Sequence, residues 1–219
     1  MEISFWENKW RQGQIGFHME DGYEPLKKYW DKLDLPKQST VFVPFCGKSV
    51  DLVWLAGNGA SVLGIEVIEQ AVQEFFHEQH IAPNIQKSGD FTIYKSGPIQ
   101  IIHGNFFHIT KSSFPDIDVI YDKGGLVAVP EEKQTEYVDH LLNLANPHTK
   151  ILLHHFEYPQ NEMSGPPFSV PLSRIKELFG DGYSIRTLLQ ETTNKKYEKF
   201  AERGLQSALL ERFLFLESK

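Results

Sequence analysis

The chain predicts an α/β fold with a mostly parallel sheet and helices on both of its faces. Two observations carry this. Apolar runs near 40–44, 61–66, 117–121 and 149–156 alternate with amphipathic stretches near 49–58, 68–79 and 131–145. Strands that alternate with helices pair in parallel. The second observation is one local unit. Val41-Phe42-Val43-Pro44-Phe45-Cys46-Gly47-Lys48-Ser49 is an apolar strand entering a glycine turn, and Ser61-Val62-Leu63-Gly64-Ile65-Glu66 is a second strand ending on an acid.

The elements follow in order. Phe5, Trp6, Trp10, Ile15 and Phe17 crowd the first twenty residues at irregular spacing. So many large apolar groups must cover something, either as a packing arm or as a lid over a ligand site. Residues 22–33 read as an amphipathic helix, with Leu26, Tyr29, Trp30 and Leu33 at three- and four-residue spacing, ended by Pro36. Phe91–His103, turned at Ser96-Gly97-Pro98, reads as a hairpin inserted before the third core strand. The helix near 131–145 opens after Pro130 with Glu131 and Glu132 in its first turn, which suits the helix dipole. A short helix, Ser173 to Phe179, stops at Gly180. Strands near 183–191 and 206–217 have no helix of useful length between them and should pair antiparallel. The expectation is a single domain over 1–219, with a helical cover at 1–35 and a core at 36–219.

Composition narrows the function. Its 219 residues are enough for a sizeable core. A formal net charge of −7 argues against a broad nucleic-acid footprint and favours a small-molecule partner. The single cysteine, Cys46, excludes an intrachain disulfide and suits a reducing compartment. No apolar run approaches the roughly 20 residues that span a bilayer, and the N-terminus has no secretory pattern. Cytoplasmic placement, no membrane partner and a monomeric state are the resulting expectations.

The glycine turn and the terminal acid point to an adenosine-bearing ligand. A glycine allows close backbone approach, and a carboxylate at the end of the second strand can accept from two ribose hydroxyls. The dinucleotide fingerprint needs three glycines in the first turn, and only Gly47 stands there. The phosphate-loop pattern fails too, because position 42 is Phe42 rather than glycine. An adenosine cofactor without phosphates remains, and S-adenosylmethionine fits. A strand that merely ends on a solvated Glu is the competing reading.

Three motifs in order carry a family resemblance. Val43-Pro44-Phe45-Cys46-Gly47-Lys48-Ser49-Val50-Asp51-Leu52 is followed by Trp54-Leu55-Ala56 and Gly64-Ile65-Glu66. Phe5-Trp6-Glu7-Asn8-Lys9-Trp10 with Gly16-Phe17-His18 precedes it, and Gly165-Pro166-Pro167-Phe168-Ser169-Val170-Pro171 comes late. Together they resemble the thiopurine S-methyltransferase family, its bacterial members above all, over nearly the whole chain. The resemblance implies a Rossmann-like class I methyltransferase with a seven-stranded, mostly parallel sheet and an N-terminal helical lid. It implies S-adenosylmethionine as cofactor and a small aromatic or heterocyclic thiol as acceptor.

The resemblance also implies residue roles. Glu66 would hold the ribose, and Phe45, Asn105 and Phe106 would surround the cofactor, with apolar contacts on both adenine faces. Trp10 would contact the cofactor from the lid, where an aromatic face near a sulfonium gains about 0.5–2 kcal/mol. Asn105 departs from the acid usual in relatives, yet an amide can still accept and donate at a purine edge. Lys123 departs from the family's Arg at the cofactor or acceptor pocket, keeping the charge and losing the planar fork. Relatives carry a basic residue before a Trp-Gly pair; here Phe200-Ala201-Glu202-Arg203-Gly204 stands there, so either Arg203 serves from a shifted position or the acceptor differs. Phe17 would wall the acceptor ring, and Asp122 would orient or deprotonate the acceptor.

Other chemistry has little support. Cys46 has no paired base and reads as a buried structural thiol. His154 and His155 on one strand point to opposite faces, so no metal is expected. A methyltransferase for halide, sulfide, or selenium and tellurium species, or a non-catalytic cofactor-binding protein, are the competing functions.

Overall fold

A computed structural model describes residues 2–36, 38–193 and 198–219. The chain forms two compact units, Met1–Tyr121 and Asp122–Lys219.

The first unit opens with α1 (Ile3–Arg11) and α2 (Glu24–Tyr29). The helix expected over 22–33 is shorter: Pro25 starts it, and a 3-10 turn (Trp30–Lys32) ends it. Leu26, Trp30 and Leu33 are still the buried face. Then come β1 (Thr40–Pro44), α3 (Asp51–Gly57), β2 (Ser61–Glu66), α4 (Glu69–Glu78), β3 (Asn84–Ser88), β4 (Phe91–Ser96), β5 (Ile99–His103) and β6 (Val119–Lys123). The strand order is β3-β4-β5-β2-β1-β6. β1 lies parallel to β2, with Val43 opposite Gly64, and to β6, with Val41 opposite Val119.

The hairpin expectation needs correction. Its second limb, β5, runs parallel to β2 with Glu66 opposite His103, so it is the third core strand itself. The added part is β3 with β4, an antiparallel pair at the sheet edge. β3 reads Asn-Ile-Gln-Lys-Ser and is exposed throughout, so no apolar alternation marks it in the sequence.

β1 and β2 are buried almost from end to end, as parallel strands covered on two faces must be. Phe42, Leu52, Leu55, Ile65, Val72 and Phe75 fill the core around them. Each fully buried side chain of this size stabilises by about 1.5–3 kcal/mol.

The second unit continues with α5 (Glu131–Leu144), β7 (Lys150–Glu157), α6 (Leu172–Phe179), β8 (Tyr183–Thr193), α7 (Glu198–Glu202) and β9 (Leu209–Ser218). Its strand order is β7-β9-β8, and both pairs are antiparallel; for β8 and β9 this is the pairing that the lack of a long intervening helix predicts. A bulge between Thr187 and Leu189 interrupts the β8–β9 register. Nine strands are therefore present among the described residues, not seven. Among those residues no helix is long and apolar enough to cross a membrane.

Candidate active site

The turn after β1 is the most constrained backbone of the first unit. Phe45 has φ +48° and Gly47 has φ +52°, both in the left-handed region. Such a conformation costs a bulky residue like Phe about 1–3 kcal/mol and persists only where the surroundings impose it. Glu66 grips this turn at Gly47. Its Oε2 accepts from the Gly47 amide at 2.9 Å and its Oε1 from the Ile68 amide at 2.8 Å. One carboxylate thus fixes the turn after β1 and the start of α4 together.

Glu66 is 7% exposed. Burial raises its carboxyl, and the backbone donors at Ile68, Gly47 and Val67 oppose that rise. A carboxylate has about four lone-pair sites, so acceptor capacity remains for hydroxyl donors. Beneath the turn, Gly64 lies so close that a Cβ there would stand 2.7 Å from Cys46 Sγ. The Cys46 thiol is buried and pushed well up, by burial first and then by Glu66, which leaves it protonated and inert.

Lys48 is not a phosphate ligand. Its Nζ lies 2.9 Å from Glu74 and 2.6 Å from Glu78, one turn apart on α4. With Lys48 only 9% exposed, the pair of acids is the compensation its burial requires. The sequence reading missed this clamp, although Glu74 and Glu78 stood at helical spacing. It also missed Asp51, at 1% exposure. The Asp51 carboxylate accepts from the Tyr23 amide at 2.8 Å and from Tyr121 Oη at 2.8 Å.

The N-terminal cover reaches the turn through Trp10. This indole is buried with Ile68 and Ala71, flanked by Trp6, Ile15 and Val67. Its Cζ2 would be 3.6 Å from a Cβ at Gly47. Phe17 is 46% exposed and meets Trp6 and Trp10 edge-on, at 5.6 and 6.0 Å between centroids. Trp10 and Phe17 therefore stand together, and Trp6 joins them as an aromatic the sequence reading left unassigned.

Phe45 and Phe106 are in contact. Their rings are 5.3 Å apart and nearly perpendicular, at 78°, while Phe106 is 2% exposed and stacks on Phe42. A flat purine needs about 7 Å between parallel plates. The two rings form one corner rather than two plates, and the partly exposed Phe45 is the face left open. Asn105 caps the next turn: its Oδ1 accepts from the Phe107 amide at 3.0 Å, and its Nδ2 lies 3.4 Å from His108 Nε2. Its carbonyl keeps one further lone pair.

In the second unit, Asp122 is 1% exposed. It accepts from the amides of Gly125 (2.8 Å) and Leu126 (3.1 Å) and from Tyr137 Oη (2.9 Å). These contacts make it the scaffold of the turn that follows β6. Burial pushes its carboxyl up to about 6, against the lowering effect of its three donors. Lys123 follows at the end of β6, partly exposed. Arg203 donates to the Pro166 carbonyl at 2.8 Å and lies over the Phe200 ring. His154 and His155 do face opposite ways. His154 Nε2 lies 3.0 Å from Glu211, and His155 Nδ1 donates to the Val170 carbonyl at 2.8 Å. Among the described residues no group of three His, Cys, Asp or Glu could hold a metal.

Comparison with known proteins places this geometry. An S-adenosylmethionine-dependent methyltransferase from Anabaena variabilis superposes with a TM-score of 0.67 at 12% identity, covering 100% of this chain and 96% of that one. A Burkholderia thailandensis N1-methyltransferase, solved with 1,6-didemethyltoxoflavin and S-adenosylhomocysteine, gives 0.63 at 11% identity, covering 99% and 87%. The fold is that of the class I S-adenosylmethionine-dependent methyltransferases, and the buried acid at the end of β2 fits that cofactor.

A family model described as thiopurine S-methyltransferase matches residues 1–219. The Vibrio atlanticus thiopurine S-methyltransferase is 42% identical over 216 residues, covering 98% of this chain and 97% of that one. The chain belongs to the thiopurine S-methyltransferase family and is an S-adenosylmethionine-dependent enzyme.

Proposed function

We propose that this enzyme methylates the sulfur of small aromatic or heterocyclic thiols. The observation that carries the reading is Glu66, a buried carboxylate with spare acceptor capacity, set by the Gly47 and Ile68 amides under the Trp10 cover. When bound, S-adenosylmethionine supplies a methyl group on a sulfonium, open to direct in-line displacement by a thiol sulfur.

The chain's own residues bind, orient and exclude water. Glu66 accepts from the ribose hydroxyls. Phe45 and Asn105 border the adenine, and Phe106 backs Phe45. Trp10 closes over the Gly47 turn, and Phe17 offers its exposed face to the acceptor ring. Lys123 keeps the positive charge that the family carries at this position. Asp122 holds the turn that follows Lys123 through the Gly125 and Leu126 amides. A thiol that ionises near neutral pH needs no strong base, and positioning alone can lower such a barrier by about 7–11 kcal/mol.

The test is transfer of a labelled methyl group from S-adenosylmethionine to an aromatic heterocyclic thiol by the purified chain, with sulfide and halide in parallel. Transfer to the thiol supports the reading. Transfer only to the inorganic acceptors replaces it.

A further inference from the structure

Two loops of the second unit, 158–171 and 203–207, are fastened together by side chains that the transfer reading does not use. Glu162 sits in a single 3-10 turn, Gln160–Glu162. Its Oε2 accepts from the amides of Gln206 (2.8 Å) and Ser207 (2.7 Å), and its Oε1 accepts from Ser207 Oγ at 2.5 Å. Arg203 makes the tie in return, donating from Nη1 to the Pro166 carbonyl at 2.8 Å. Between the two ties the backbones touch. Gly204 has φ +109°, and a Cβ there would stand 2.7 Å from the Glu162 carbonyl oxygen.

The far side of the first loop is tied elsewhere. The Phe168 amide donates to the Val127 carbonyl at 2.6 Å, within the turn that Asp122 caps. The Ser169 amide donates to Gln160 Oε1 at 2.8 Å, and Tyr158 Oη donates to the Pro167 carbonyl at 2.6 Å. Pro166 and Pro167 have no amide hydrogen, so this stretch cannot build a ladder of its own. Its shape comes from the groups that grip its carbonyls and its flanks. The loop leads away from the carboxyl end of β7 and bonds the turn after the carboxyl end of β6. Those strand ends are where α/β sheets receive their ligands.

We propose that Glu162 and Arg203 are positioning residues for the methyl acceptor. They hold Gly165–Phe168 against Val127 and so set the wall on which the acceptor lies. This rests on the transfer reading above. It gives Arg203 a different task from the one its sequence position suggests: it acts through Pro166, not by pairing with the acceptor.

The experiment uses the full chain and four variants: Glu162→Ala, Glu162→Gln, Arg203→Ala and Arg203→Lys. Three quantities are read: hydrogen exchange at the Phe168 and Ser169 amides, the KM for an aromatic thiol, and the Kd for S-adenosylmethionine by calorimetry. Both alanine variants should speed exchange at these amides about tenfold or more, with β2 amides unchanged. They should raise the thiol KM about fivefold while the cofactor Kd stays within about twofold. Glu162→Gln, with one acceptor oxygen in place of two, should fall between wild type and alanine. Arg203→Lys keeps one donor for the Pro166 carbonyl and should recover most of both effects.

Exchange at the wild-type rate in the alanine variants overturns the inference. So does a cofactor Kd that moves in step with the thiol KM, or an Arg203→Lys as impaired as Arg203→Ala. Absence of thiol transfer by the wild-type chain overturns the transfer reading and the acceptor half of this inference together. The exchange data then still decide whether the two ties hold the loop.

Discussion

Glu66 and Gly47 are joined across nineteen residues of sequence by one bond: Glu66 Oε2 accepts from the Gly47 amide at 2.9 Å. The same carboxylate takes the Ile68 amide, so the acid that would receive the ribose also builds the turn beside it. The local structure and the proposed ribose contact rest on a single side chain.

Glu66→Ala should therefore weaken S-adenosylmethionine binding by at least about tenfold, since charge-assisted hydrogen bonds contribute roughly 1.5–3 kcal/mol each. Calorimetry on protein shown folded by its melting curve checks this. An unchanged affinity would sink the assignment. Burial raises the Glu66 carboxyl, so its proton is lost later than usual. Wild-type affinity should fall as the pH drops through that raised value, because the protonated form has lost acceptor strength.

Asp122 gives a signed pH effect. Its carboxyl lies at about 6 in the folded chain against an ordinary 3.8, with burial the largest cause. The folded state thus binds this proton more tightly than the unfolded state. Its contribution is most favourable below about pH 4 and is lost as the pH rises toward 6, by roughly 3 kcal/mol at most. Asn at this position has no such titration. Urea melts from pH 4 to 7 should show the stability difference between wild type and Asp122→Asn moving against wild type across that window. The opposite slope contradicts the burial argument. The pH–rate profile of the variant should still track the ionisation of the acceptor alone.

Lys48→Met should destabilise the chain by about 1–3 kcal/mol, because it leaves Glu74 and Glu78 without their cation. Both acids are partly exposed, at 31% and 42%, so the lower half of that range is expected. Added salt should shrink the difference from wild type. A loss that is the same at low and high ionic strength would assign the effect to packing instead.

Gly64→Ala probes the floor of the turn. The new Cβ would meet Cys46 Sγ at 2.7 Å, so the turn through Phe45 and Gly47 must shift. A cost of about 1–3 kcal/mol is expected, with weaker cofactor binding. Adding Cys46→Ala removes the clashing sulfur and should restore much of both. A double variant no better than the single one would place the strain elsewhere.

Much of this was legible in the chain. β1 and β2 declare themselves because strands buried on two faces read as unbroken apolar runs ending at Gly47 and Glu66. β3 was invisible because an exposed edge strand has no buried face to pattern it. The corner made by Phe45 and Phe106 was illegible for another reason. Sequence gives residue identity, but the angle between two rings is set by packing, here by Phe42 behind Phe106. The scaffold role of Asp122 was equally hidden, because its partners Gly125, Leu126 and Tyr137 are ordinary residues until the backbone brings their donors together.

Asp51 has a consequence for traffic through the site. Its carboxylate grips the Tyr23 amide and Tyr121 Oη at once, and Gly22 packs so closely that a Cβ there would lie 2.5 Å from Asp51 Oδ1. The chain is riveted to its central strand at that point. If the N-terminal cover swings, its pivot lies ahead of Gly22, where Asp51 holds the chain. The arm ahead of that rivet is short, and its buried indole, Trp10, sits about halfway along it.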